Sequence, residues 1–214
     1  MKLLIVGDSF TYGDELADQS SAWPYLLGGK LNCKVNNLGQ SASGNSRMVR
    51  TAIEHVNEYD TIIIAWSHFA RTEIADETGV YDIWPGCSDI PHKDYFPWRG
   101  TLIDYYSKHH DDQYLYKQYL INIILLQNFL KYNNKKYLML DAFGNNLFRK
   151  NYRHVEFTLD DQIDTEYFLG WPKETMMEWT YGCPKGPGGH FLEQGHEIVA
   201  DKIYEHIRNL SWVS

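Results

Sequence analysis

The first residues of the chain constrain it most. Leu3 to Val6 form an unbroken apolar run with a β-branched end, and Gly7-Asp8-Ser9 follows at once. A short apolar run closed by glycine is the pattern of a strand buried on both faces, as at the centre of a parallel sheet. Ser9 then sits on the turn leaving the carboxyl end of that strand, where open α/β sheets place their ligands. A small nucleophile on a tight, glycine-flanked turn suits acyl transfer. Its hydroxyl is exposed, and neighbouring backbone N–H groups can face an oxyanion.

The rest of the chain alternates strand and helix. Pro24 is tolerated in the first turn of a helix through Trp23-Pro-Tyr-Leu-Leu, which Gly28-Gly29 stops. Cys33 to Asn37 reads as a second strand, followed by a small-residue loop, Leu38 to Ser46. Met48, Ala52, Ile53 and Val56 have helical spacing, and Asp60 to Trp66 is the clearest strand, a continuous run suited to a central position. Tyr114 to Tyr132 is apolar nearly all round and predicts a buried helix. Tyr137 to Asp141 is a further strand, and Glu193 to Leu210 a closing amphipathic helix with Val199, Ile203, Ile207 and Leu210 on one face. Residues 71–100 and 142–189 show no sustained periodicity and read as long irregular insertions, the second with short helical turns near Asp160 and Glu174. The expected architecture is a single α/β domain over 1–214, a flavodoxin-like three-layer α/β/α sandwich with a central parallel sheet of about five strands.

Composition narrows the partners. The 214 residues carry a formal net charge of −8, which argues against a nucleic acid as main ligand. No stretch approaches the roughly 20 apolar residues that cross a bilayer. The chain enters a strand within two residues of Met1, so no signal peptide is expected, and the location implied is cytoplasmic or in a virion. Three cysteines without a C-x-x-C spacing indicate neither a disulfide framework nor a zinc site. His109-His110-Asp111-Asp112 has metal-binding residue types but reads as a solvated charge run before a helix. Lys185-Gly-Pro-Gly-Gly follows no strand and lacks the spacing of a phosphate loop. Sixteen Tyr and seven Trp, dense between Tyr81 and Tyr181, would thicken a core and steady long loops, or line a sugar-facing rim.

Two motifs at opposite ends of the chain carry a family resemblance. Gly7-Asp-Ser-Phe-Thr-Tyr-Gly13 resembles the first block of the SGNH (GDSL-type) hydrolases, GDS-x-T-x-G. Gly189-His190 and Gly195-His196 resemble the last block, D-x-x-H-P-x-x-x-G-H. The resemblance implies the SGNH hydrolase fold, with Ser9 as nucleophile and His190 as general base, acting without metal or cofactor; His196 is then structural or a helix cap. Asn37-Leu-Gly39 matches the second block, whose glycine N–H serves the oxyanion; Gly44 is the competing assignment. The third block, G-x-N-D, is missing. Ser67 or His68 would donate in place of its Asn, with Arg71 and Glu73 bracing the loop. The stretch Trp66-Ser-His-Phe-Ala-Arg71 is similar to a branch seen in phage genomes.

A second departure concerns the acid that orients the histidine. Pro187 stands at that position, so Asp141, Glu193 or Asp164 would substitute, a backbone carbonyl would orient the ring, or a Ser9–His190 dyad would act alone. The activity implied is hydrolysis of a carboxylic ester, most plausibly an acetyl group on a carbohydrate. The alternatives are a lysophospholipase or thioesterase, and a catalytically decayed scaffold that binds glycan or builds a virion.

Overall fold

The computed structural model of the chain describes residues 1–77, 79–85, 97–145, 159–210 and 212. Parts of the two stretches expected to be irregular, 86–96 and 146–158, lie outside the described residues.

Five parallel strands make the central sheet: β1 (Lys2–Val6), β2 (Lys34–Asn37), β3 (Thr61–Trp66), β6 (Lys136–Asp141) and β7 (Phe168–Leu169), in the order β2-β1-β3-β6-β7. Renumbered along the sheet's own strands this is the order 2-1-3-4-5 of flavodoxin-like folds, whose direction of winding reverses between β1 and β3. Every residue of β3 is buried, as the run from Thr61 to Trp66 requires of a central strand.

Strand alternation divides the core in two. Leu4, Val6, Ile62, Ile64, Trp66 and Met139 face one layer, built by α3 (Asn45–His55) and α5 (Asp112–Tyr132) through Met48, Ala52, Leu120, Ile123 and Leu126. Leu3, Ile5, Ile63, Ala65, Leu138 and Leu140 face the other, built by α2 (Trp23–Lys30) and the C-terminal helix Glu193–Asn209 through Trp23, Leu27, Val199, Ala200, Ile203 and Ile207. The structure thus has the three layers that the alternating pattern predicts.

The segment after β3 differs from its sequence expectation. Thr72–Asp76 (β4) and Gly79–Ile83 (β5) pair as an antiparallel hairpin, and Pro97–His109 (α4) is a helix. In β5 only Ile83 is buried, and Thr72 to Ala75 of β4 are part-exposed or exposed, so no period-two alternation marks the hairpin. It packs outside the main sheet, where Ile83 meets Ile103 of α4 and Arg50 of α3 forms an ion pair with Glu73 at 2.6 Å.

Candidate active site

The turn after β1 is built around two side chains. A Cβ on Gly7 would lie 2.1 Å from Thr11 Oγ1, so only glycine fits. Asp8 is extended and caps a single helical turn, α1 (Ser9–Tyr12); its Oδ1 accepts from Phe10 N–H at 3.1 Å. Ser9 opens that turn, so its own N–H has no intrahelical acceptor. Among the described residues none hydrogen-bonds its hydroxyl. Asp8 Oδ2 accepts from Ser67 Oγ at 2.9 Å and lies 3.5 Å from Arg71 Nη1, which also donates to Ser67 Oγ at 3.0 Å. Burial raises the Asp8 carboxyl, while Arg71 and the Ser67 hydroxyl pull it back down. This buried network ties the exit of β1 to the exit of β3, at the winding reversal of the sheet.

His190 comes from the loop before the C-terminal helix. An antiparallel bridge between Lys185 and Phe191 closes the loop, Gly186 N–H donates to His190 O at 2.9 Å, and Gly189 supplies a left-handed residue at φ 87°. The imidazole lies against Phe10, the residue after Ser9, at 5.0 Å between ring centres. Its Nδ1 is 2.9 Å from Glu15 Oε2; Glu15 also accepts from His190 N–H at 3.0 Å and from Gly188 N–H at 2.6 Å.

None of the acids expected from sequence holds this position. Asp141 is buried under Tyr119 and Asn145, accepting from both at 2.5 and 3.0 Å. Asp164 pairs with Lys131 at 2.5 Å. Glu193 is exposed at the start of the last helix, with no hydrogen bond to His190 among the described residues. Pro187 is likewise exposed. Glu15 escaped sequence reading because the motif residues were matched by their family spacing. The only signal was an acid pair, Asp14-Glu15, directly behind Gly13.

The oxyanion candidates separate in the same way. Gly39 donates its N–H to Asn37 Oδ1 at 2.9 Å, and a Cβ there would lie 2.7 Å from Tyr12 N, so this glycine lets the loop pack on α1. Gly44 donates its N–H to Asp82 Oδ1 of the hairpin at 2.6 Å. Ser67 is fully buried with its hydroxyl committed to Asp8. Glu73, expected beside Arg71, pairs with Arg50 instead.

His68 is different. Asn45 accepts from Ser67 N–H at 3.0 Å, and Asn145 accepts from Phe69 N–H at 3.1 Å while donating to Ser67 O at 3.0 Å. The two asparagines hold the loop on either side of His68 and leave that side chain at the surface. His68 Nδ1 accepts from Ala70 N–H at 3.2 Å, which puts the proton of the neutral ring on Nε2. Although His68 is exposed to solvent, desolvation by the protein atoms around the ring, reinforced by Arg71, pushes its pKa down and favours the neutral form.

His196, read from sequence as structural, accepts from Trp23 N–H at 3.1 Å, and burial lowers its pKa to about 4. Beside His68 a pocket of about 440 Å³ is lined by Arg71, Trp84, His110, Asp112 and Phe143. The Arg71 guanidinium lies 5.4 Å from the Trp84 ring centre and 4.9 Å from that of Phe143. A larger hollow of about 520 Å³ lies at the opposite edge of the sheet, between Lys2, Lys34 and Tyr59, and holds none of these groups.

Known proteins resemble this chain at two levels. No curated protein matches the sequence. Among solved structures, a putative lipolytic protein of the G-D-S-L family from Desulfitobacterium hafniense DCB-2 is 12% identical, with a TM-score of 0.53 over 96% of this chain and 98% of that one. TesA is 14% identical, with a TM-score of 0.60 over 98% of this chain and 99% of that one. A two-domain esterase active on acetylated mannans is 13% identical, with a TM-score of 0.54 over all of this chain and 50% of that one. At such identities the likeness establishes the fold, that of the SGNH hydrolases. A family model covers residues 11–214, and the chain belongs to the family that it describes, a family of unknown function (DUF6071).

Proposed function

We propose that this protein is a serine esterase that hydrolyses carboxylic esters through an acyl-enzyme, with O-acetylated carbohydrate as its substrate class. The observation that carries the reading is an imidazole, His190, whose Nδ1 is held by a carboxylate and whose ring packs on Phe10, the residue next to the turn-borne Ser9. His190 Nε2 takes the proton from Ser9 Oγ as that oxygen attacks the ester carbonyl carbon. The tetrahedral oxyanion accepts from Ser9 N–H and from His68 Nε2–H, donors that no hydrogen bond takes up among the described residues. Collapse breaks the bond to the alkoxy oxygen, which leaves with the proton from His190. Water, deprotonated by the same imidazole, then attacks the acyl carbon; the bond to Ser9 Oγ breaks, that oxygen takes the proton back from His190, and the acid is released.

Two observations favour an acetylated sugar over a fatty acyl ester. The pocket beside His68 offers the rings of Trp84 and Phe143 together with the polar His110 and Asp112, a surface suited to the mixed faces of a sugar ring. One protein of the same fold acts on acetylated mannans. A chain-length series of p-nitrophenyl esters, beside acetate release from acetylated mannan and xylan, tests the assignment. Fastest turnover of the acetyl ester with acetate released from a glycan is expected. Fastest turnover of long acyl chains would transfer the assignment to a lipase or thioesterase activity.

A further inference from the structure

An imidazole works as general base toward a serine only when its Nε2 lone pair faces the hydroxyl, which requires the proton on Nδ1 and a partner to hold it there. Pro187 occupies the place from which the SGNH resemblance would supply that partner, and a prolyl ring neither accepts nor donates. Taking Ser9 and His190 as nucleophile and base, we infer that Glu15, carried on the nucleophile's own turn, is the positioning residue that fixes the tautomer and orientation of His190.

Four features support this role. The first is the hydrogen bonding. An ionised carboxylate has only acceptor sites, so the 2.9 Å contact from Nδ1 to Glu15 Oε2 places the imidazole proton on Nδ1 and frees Nε2. The second is the loop itself, which is shaped around the carboxylate. A Cβ on Gly186 would lie 2.5 Å from Glu15 Cδ, and one on Gly188 3.1 Å from Oε2. At Gly186 and Gly188 the acid thus packs directly on the loop backbone, while Gly189 serves the left-handed turn.

The third feature is the backbone of Glu15, held in the left-handed region at φ 69°. Side-chain-bearing residues rarely adopt that conformation, and they concentrate where a structure over-determines them. Here it splits an acid pair in two directions. Asp14 turns to accept from Ser41 Oγ at 2.6 Å, while Glu15 turns to the histidine loop. The fourth is charge. Hydrogen bonds from Gly188 N–H first, then from His190, hold the Glu15 carboxyl below the usual range, so it is ionised wherever an imidazole base operates.

The nucleophile and the orienting acid thus share the segment Ser9–Glu15, and the C-terminal loop delivers only the histidine. In an enzyme built around such an acid, replacing carboxylate by amide costs about four orders of magnitude in kcat, because the amide enforces the wrong tautomer. Glu15→Gln with its oxygen on Gly188 N–H turns an NH2 toward both Nδ1 and the His190 N–H that Oε2 also serves. It should remain folded by circular dichroism and thermal unfolding, retain KM for p-nitrophenyl acetate, and lose kcat by about 10²- to 10⁴-fold. Glu15→Asp, which retains the charge on a shorter arm, should recover part of the loss. Nitrogen-15 NMR of His190 supplies a readout independent of turnover: protonated Nδ1 in the wild type, protonated Nε2 in Glu15→Gln. Unchanged kcat or an unchanged tautomer in Glu15→Gln would overturn the inference and leave Glu15 a loop anchor. A wild type that neither turns over ester nor reacts at Ser9 would instead overturn the esterase reading, while the tautomer comparison would still decide the role of Glu15.

Discussion

Asp141 is the buried acid whose replacement gives the clearest energetic prediction. It lies at the end of β6, almost fully enclosed, with hydrogen bonds from Tyr119 OH and Asn145 Nδ2 on the same oxygen. Burial pushes its carboxyl up to about 7, against those two hydrogen bonds; Glu178 adds to the rise. In the unfolded chain the group titrates near 3.8. Between those values the folded state binds one more proton than the unfolded state, so stability falls as pH rises, at about 1.4 kcal/mol per pH unit, and levels off above 7. From pH 5 to pH 8 the contribution amounts to about 2–3 kcal/mol. Asp141→Asn keeps an oxygen for Tyr119 and Asn145 and removes the titration. Urea unfolding at pH 5, 6, 7 and 8 should show the variant gaining on the wild type by that amount as pH rises, whatever its offset at pH 5. Parallel stability curves for the two proteins would refute the assignment of a protonated, buried Asp141.

Other substitutions probe the frame around the site. His68→Ala should lower kcat by about 10²- to 10³-fold with the fold intact, the usual effect of losing one oxyanion donor, and His68→Asn should lose less. Gly39→Ala puts a methyl 2.7 Å from Tyr12 N and 2.9 Å from Thr11 C, both backbone atoms that cannot swing away. It should displace α1 and slow reaction at Ser9 by roughly 100-fold, measured as a labelling rate. His196→Ala leaves the buried Trp23 N–H without its acceptor and should cost about 1–3 kcal/mol, read as a lower urea midpoint at unchanged m-value.

The parts of the molecule legible in the sequence are those with a one-dimensional signature. The run from Thr61 to Trp66 announces a central strand because all six residues are buried. The turns that carry Ser9 and His190 are legible because glycines mark both of them: Gly7 and Gly13 at the first, Gly186, Gly188 and Gly189 at the second. Glu15 is not legible in this way. Its contacts with the histidine loop arise from a left-handed backbone residue and from a segment far along the chain that closes over it. Asn45 and Asn145, which hold the His68 loop from two different elements, are hidden for the same reason: an asparagine in a loop has no pattern until its partners are known. The hairpin of β4 and β5 was hidden by its half-exposed faces, and α4 by apolar residues that remain at the surface, with Tyr105 63% exposed.

The esterase reading is tested most directly by treating the wild-type protein and Ser9→Ala with a fluorophosphonate and reading intact mass. One adduct on the wild type, absent from Ser9→Ala, is the predicted result. No adduct on the wild type, or an adduct that persists in Ser9→Ala, would contradict an activated Ser9 and with it the central claim.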